Sequence, residues 1–318
     1  MKKIVVIGEV LVEIMADTPG EGFRATQPLT GPFPSGAPAI FADQAAKLGQ
    51  PIGIISAVGD DDFGRINLDR LTKDGVDVSA VHIDDDRPTG SAFVRYRTDG
   101  SRDFVFNIKH SASGRVHKTP AVDTLLASAD HLHVMGSSLS SNEFVNLNLE
   151  AAEAIKARGG TLSFDPNLRK EILSAPGMGD AMARIVALTD LFLPSGKELA
   201  LLTKAKDDAG AIAELMAQGV QAIVHKNGSE GASYYDAKGS VAVRAFPVEE
   251  IDPTGAGDCF GAAFTSLWLR GTPAPEALRI AVAAGALAVT RRGPMEGSST
   301  ANEIARFLSN TTTKELSK

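Results

Sequence analysis

The stretch Asp252-Pro253-Thr254-Gly255-Ala256-Gly257-Asp258-Cys259-Phe260-Gly261-Ala262-Ala263-Phe264 reads as a loop of small residues that opens a helix. Phe260, Phe264 and Leu267 recur as a buried helical face, and Gly271 supplies a stop. Side chains of minimal size at 255 to 257 let backbone N–H groups approach a ligand closely, and a helix amino terminus adds positive partial charge. That combination makes an anion site. Asp258 is an odd neighbour for an anion, because its own charge repels one. It fits if its task is to accept a proton from an attacking hydroxyl while the amides stabilise charge on a transferred group. The plain alternative is an Asp favoured by the helix dipole, with glycines serving close packing. The loop alone leaves both open.

Upstream of this loop, apolar β-branched runs recur at Ile4 to Ile7, Ile52 to Val58, His131 to Val134, Thr161 to Phe164, Leu191 to Leu193 and Ala222 to Val224. Between them lie segments with helical spacing: Ala39 to Leu48, Phe63 to Lys73, Glu143 to Arg158 and Ala209 to Ala217, followed by the stop signals Gly49, Gly75, Gly159 and Gly219. Such alternation predicts an α/β fold, a doubly wound, mostly parallel sheet with helices on both faces. Two stretches break the rhythm. Ser91 to Arg97 and Arg102 to Ile108 alternate partly with period two around the turn-forming Thr98-Asp99-Gly100-Ser101, which predicts a hairpin. With Thr18 to Pro34 adding an edge strand, they predict a small β-sheet lid. The expected division is a core of residues 1–17, 35–88 and 113–318 and a lid of 18–34 and 89–112.

The whole composition agrees with a packed enzyme-like chain. Its 318 residues suffice for two domains at about 150 each. Apolar residues at 43% are too many for a disordered chain. A net charge of −7, with no basic face, argues against nucleic acid or an anionic membrane as partner. The one cysteine, Cys259, excludes an intramolecular disulfide and suits a reducing compartment, so the cytoplasm is the expected location. Beside the expected base, Cys259 reads as a small buried residue. Met1-Lys2-Lys3 and the apolar run after it imitate a signal peptide only until Gly8-Glu9 and Glu13 interrupt, so the segment is read as a buried first strand. His131 and His133 share one strand face without an evident third ligand and read as core histidines.

The stretch from Asp252 to Thr265 resembles the carboxy-terminal signature of the ribokinase-like, or PfkB, carbohydrate kinases throughout, and Gly36, Pro38, Ala42, Gly49, Gly59 and Phe63-Gly64 match the spacing of the amino-terminal one. The resemblance covers nearly the whole chain. It implies a ribokinase-like core with a small lid, and a kinase using ATP and Mg2+, with a monovalent cation as a further candidate. It makes Asp258 the base that deprotonates a sugar hydroxyl, and the amides of Gly255, Ala256 and Gly257 the anion hole. Ser195, Lys226, Gly228, Gly231, Gly257, Ala284, Gly285 and Ala288 fall at nucleotide-site positions, and Glu198 where a Glu organises magnesium. Read alone, Gly228 and Gly231 are hairpin-turn residues, and Ala284, Gly285 and Ala288 an ordinary helix face. The implied partners are a small sugar and ATP, with a homodimer through the lid.

On the sugar side the resemblance implies Gly36, Glu13 in the place of an Asp, and Asn167 and Arg169 of Asp165-Pro166-Asn167-Leu168-Arg169, a segment similar to one in fructokinases and 2-keto-3-deoxygluconate kinases. Without the family that motif is a strand-ending turn. This chain departs from the pattern at Ile40 and Ser195, where the family has asparagines, and at Ser35, which replaces the usual first small residue. The keto-acid branch grips its carboxylate with lid tyrosines and an arginine, whereas Phe93 and Phe106 stand in the lid here, leaving Arg95, Lys109 and Arg169 to supply charge. The expectation is a kinase for a terminal hydroxyl of a ketohexose, fructose or tagatose, with 2-keto-3-deoxygluconate as the alternative. A sugar-sensing inactive homologue fits less well, because Asp258 and its loop are intact. A dinucleotide oxidoreductase fits less well, because Ile7-Gly8-Glu9-Val10-Leu11 lacks the glycine fingerprint after the first strand.

Overall fold

The computed structural model describes residues 1–20, 22–99, 101–139, 141–167 and 178–316. Its strands are β1 (Ile4–Ile7), β2 (Leu11–Ala16), β3 (Leu29–Ser35), β4 (Ile52–Gly59), β5 (Asp77–Asp84), β6 (Gly90–Tyr96), β7 (Arg102–Asn107), β8 (His131–Met135), β9 (Thr161–Asp165), β10 (Leu191–Phe192), β11 (Ala222–Lys226), β12 (Ala232–Asp236) and β13 (Gly239–Val243). Its helices are α1 (Ala37–Lys47), α2 (Asp62–Asp74), α3 (Pro120–Ser128), α4 (Asn142–Ala157), α5 (Met178–Leu188), α6 (Glu198–Leu201), α7 (Asp208–Ala217), α8 (Ala256–Leu269), α9 (Ala274–Ala288) and α10 (Ala301–Leu316).

Among the described residues the large sheet runs β13-β12-β11-β10-β9-β8-β1-β4-β5, parallel from β11 to β5 and antiparallel at the β12 and β13 end. Strand alternation divides its core. Val5 and Ile7 pack on one face with Leu132, Phe144 and Ile185, while Ile4 and Val6 pack on the other with Phe41, Cys259 and Ala262. A strand buried on both sides carries polar residues only where they find partners, and β1, with none to pair, reads as four apolar residues in a row. The next strands of this sheet after β1, β4 and β5, are added on one side of it, and the chain then returns to its other side at β8. In such a sheet ligands gather at the carboxyl ends of the strands, near the switch of order.

The small sheet has the order β3-β2-β6-β7. β6 and β7 form the expected hairpin, with Ala92 facing Phe106, Val94 facing Phe104 and Tyr96 facing Arg102. One boundary differs from the sequence reading: Leu11–Ala16, assigned to the core within residues 1–17, is a strand of the small sheet, parallel to β6 and antiparallel to β3. Its apolar run resembles a core strand because Leu11, Val12 and Met15 are buried here too. No helix among the described residues is long and apolar enough to cross a membrane.

Candidate active site

Strand ends and the starts of α1, α6 and α8 converge under the small sheet. Gly36, with φ +110, precedes α1, and a Cβ there would overlap the Glu9 carbonyl. Gly255, with φ +82, precedes α8, and a Cβ there would overlap the Pro294 carbonyl. Both positions need glycine because the backbone turns left-handed against another backbone. Asp258 then falls in the first turn of α8, half-buried, on the wall of a cleft of about 670 Å³. The first amides of a helix have no acceptor within it, so Gly257 and its neighbours present N–H groups to that cleft. The Ala256 amide is partly turned back, donating to the Pro253 carbonyl at 3.4 Å.

The same cleft is lined by Glu13, Gly36, Ile40, Arg102, Phe104, Phe106, Asp165, Asn167, Ser195, Glu198 and Lys226. Glu13 is buried and its Oε1 accepts the Ser35 hydroxyl at 2.9 Å, so the serine that departs from the family pattern positions the glutamate that does. Ile40 occupies the cleft wall beside Gly255, giving that wall a methyl surface where an amide would offer hydrogen bonds. Asn167, with φ +39, donates its amide to Asp165 Oδ1 at 3.2 Å; asparagine tolerates the left-handed region. Glu198 Oε2 accepts the Ser195 amide at 2.7 Å, which holds a hard oxygen ligand of the kind magnesium takes at the cleft floor.

A second cleft, of about 930 Å³, opens on the other side of Gly257 and shares Arg102, Ser195, Lys226, Pro253 and Gly257 with the first. Gly228 and Gly231 line it while forming the turn between β11 and β12, so the turn reading holds and leaves both glycines facing the cleft. α9 contributes Val282, Gly285, Ala286 and Val289. Ala284 and Ala288, expected here, instead face the core at 0% and 2% exposure. They belong to the stripe Ala277, Ala281, Ala284, Ala288, and the cleft face is the adjoining one of the same helix. Its bare backbone and short apolar side chains fit a flat heterocycle, and the exposed glycines fit phosphates.

Two further expectations are corrected. Arg95 alternates with Val94 and Tyr96 and so stands on the lid's outward face, where it pairs with Asp103 and donates to the Gly20 carbonyl. Phe93 shares that face and packs edge-on against Phe23 at 5.9 Å. Lys109 lies beyond β7, exposed, against a separate recess of about 650 Å³ with Phe63, Pro88 and Ile108. Arg169 lies outside the described residues. His131 and His133 are buried and both hydrogen-bond the Ser163 hydroxyl at 2.7 Å, with His133 stacked on Phe41; burial pushes both imidazoles well below the usual histidine range. Burial likewise pushes the Cys259 thiol up.

Sequence reasoning overlooked Arg102 and Asp252. Arg102 Nη1 donates to Thr254 Oγ1 and the Tyr96 hydroxyl donates to Asp252 Oδ1, each at 2.7 Å, so the lid is fastened to the loop that precedes α8. Asp252 is buried, and also accepts the Thr254 and Gly293 amides at 2.9 Å.

The profile of the pfkB family carbohydrate kinases matches residues 1–301. The chain belongs to this family. It is 34% identical over 315 residues to a fructokinase from Klebsiella pneumoniae, covering 96% of this chain and 99% of that one. It is 32% identical over 314 residues to a 2-dehydro-3-deoxygluconokinase from Thermoproteus tenax, covering 97% and 94%. A crystal structure from E. coli, of a protein provisionally named ribokinase II in complex with ATP and Mg2+, superposes with a TM-score of 0.92 at 47% identity, covering 98% of this chain and 100% of that one. The protein is thus a sugar phosphotransferase of the PfkB type with a ribokinase-like fold.

Proposed function

We propose that this PfkB kinase transfers the γ-phosphoryl group of ATP to a terminal hydroxyl of a neutral ketohexose, fructose or tagatose. In this reading Asp258 accepts the hydroxyl proton as the sugar oxygen bonds to the γ-phosphorus and the bond to the bridging oxygen breaks. The amides at the start of α8 stabilise the charge on the transferring group, and burial under the lid excludes water from it. Glu198, fixed by the Ser195 amide, is the group that would hold magnesium, which neutralises phosphate charge when bound. A monovalent cation would sit beside Asp252, whose buried carboxylate is met by a hydroxyl and two amides and, among the described residues, by no side-chain cation. A homodimer through the outward face of the lid, where Val105 stays 51% exposed, is carried with this reading.

The preference for a neutral sugar rests on the charges lining the sugar cleft. Its carboxylates are Glu13, Asp165, Glu198 and Asp258, Asp103 being turned outward to Arg95 and Arg97. Its cations among the described residues are Arg102, engaged with Thr254, and Lys226, paired with Asp165. Hydroxyls suit such a wall, because a carboxylate accepts them. A keto acid would bring a further negative charge to a wall whose carboxylates outnumber its cations among the described residues, and one lost charge-assisted hydrogen bond costs on the order of 1.5 to 3 kcal/mol. The test is the set of kcat/KM values for fructose, tagatose and 2-keto-3-deoxygluconate under common ATP and magnesium. The better ketose is expected to exceed the keto acid by at least about tenfold. A keto acid preferred over both ketoses would overturn the ketohexose assignment.

A further inference from the structure

Lys226 occupies a place that neither cleft explains alone. It is the last residue of β11, and its backbone is fixed on both sides: its amide donates to the Pro194 carbonyl, and its carbonyl accepts the Gly196 amide, each at 2.9 Å. Its side chain is only 10% exposed, yet it lines both the sugar cleft and the nucleotide cleft. The Nζ lies 3.8 Å from where a Cβ on Gly257 would be, so the ammonium stands at the mouth of the anion hole and one residue from Asp258. Its partner is Asp165 Oδ2, on the end of β9 and 3% exposed. Asp165 in turn is held through Oδ1 by the Asn167 amide.

A lysine buried this deeply is retained at a cost in hydration that a hydrophobic residue of similar size would not carry. A single counter-ion offsets part of that cost but leaves two ammonium hydrogens directed elsewhere. Two clefts meet at this point, and what passes between them is the phosphoryl group. We propose that Lys226 is a catalytic residue that contacts the transferring phosphoryl group, and that Asp165 is the positioning residue that aims it. Resting on the kinase function proposed above, the inference adds the group that follows the charge across the junction. The sugar oxygen–phosphorus bond forms, the bond from phosphorus to the bridging oxygen of ATP breaks, the proton goes to Asp258, and Lys226 keeps its own protons throughout. Its contribution is a fixed positive charge in a water-poor site, where such a charge acts on the transition state more strongly than on either bound substrate.

The experiment compares the unmodified enzyme with Lys226→Met, Lys226→Ala and Asp165→Asn, using the sugar that the unmodified enzyme phosphorylates best. Lys226→Met should lower kcat by about a hundred- to a thousandfold, with ADP affinity and sugar KM each within about threefold. Ethylammonium should restore part of the activity of Lys226→Ala, which a merely structural lysine would not allow. Asp165→Asn keeps the shape and the ammonium but loses the aim. It should lower kcat about tenfold with ADP affinity unchanged, and it carries the test if the Lys226 variants do not fold. Near-normal kcat in Lys226→Met, or a uniform loss of ADP and sugar binding without amine rescue, would overturn this inference alone. Absence of turnover by the unmodified enzyme with every sugar would overturn the proposed function and this inference with it.

Discussion

Arg70 shows how a residue far from the chemistry shapes the site. From α2 its Nη2 donates to the Met295 carbonyl at 2.7 Å, and the adjoining Pro294 carbonyl is the surface against which Gly255 turns. Its Nε also bonds Asp43 at 3.2 Å and Asp74 at 2.7 Å. Asp43 is fully buried; desolvation first, and its contact with Asp74 second, push its carboxyl up to about 6, against the pull of Arg70 and Lys47. Asp74 is held below its usual range, so below about pH 6 the pair binds one proton, on Asp43, and above it both are ionised. A carboxyl raised in the folded state binds more protons than in the unfolded chain, so its stabilising contribution is complete below the unfolded value near 3.8 and is lost as pH rises through about 6. The stability of the unmodified protein minus that of Asp43→Asn should therefore fall between pH 4 and pH 7 in urea titrations. A difference that rises over that interval would mean that Arg70 holds Asp43 ionised instead.

At the scale of elements, the lid and the loop before α8 act as one piece, because Tyr96 and Arg102 on β6 and β7 reach Asp252 and Thr254. Burial, then the neighbouring Asp252 carboxylate, pushes the Tyr96 phenol above its usual value, so it stays a donor throughout the working pH range. In the proposed function, a lid fastened to this loop would couple closure over sugar to the shape of the anion hole. Tyr96→Phe removes one charge-assisted hydrogen bond, about 1.5 kcal/mol or about tenfold, and this should appear as a raised sugar KM. Hydrogen exchange across residues 90–107 checks the cause: saturating sugar should protect them less in Tyr96→Phe than in the unmodified protein. Equal protection in the two would separate the lid from the loop.

For the whole molecule, the parts legible in the sequence were those set by local chemistry. β1, β4, β8, β9 and β11 are legible because strands buried on both faces are rich in apolar β-branched residues, the polar ones among them being hydrogen-bonded, as His131 and His133 are to Ser163. Gly255 and the small residues after it announced α8. What stayed hidden was set by tertiary placement. β13, Gly-Ser-Val-Ala-Val, is a short half-exposed edge with little pattern, and β2 is as apolar as a core strand although it pairs in the lid. Both faces of α9 carry small apolar residues, so its sequence does not separate Ala284 and Ala288 from Gly285 and Ala286; the core stripe through Ala277 and Ala281 does. Arg95 could have been excluded by period-two alternation once Phe104 and Phe106 were given to the inward face, since Arg95 opposes Asp103. The pairing of Lys226 with Asp165 spans 61 residues of sequence and carried no local signal.

The central claim is that the two clefts meet over one base at the start of α8. Its most direct test is Asp258→Asn, which preserves the shape of the loop and removes the proton acceptor. Sugar-dependent ADP release should fall by at least about a hundredfold while ADP still binds with near-normal affinity. Sugar-dependent turnover within a few-fold of the unmodified enzyme would contradict it.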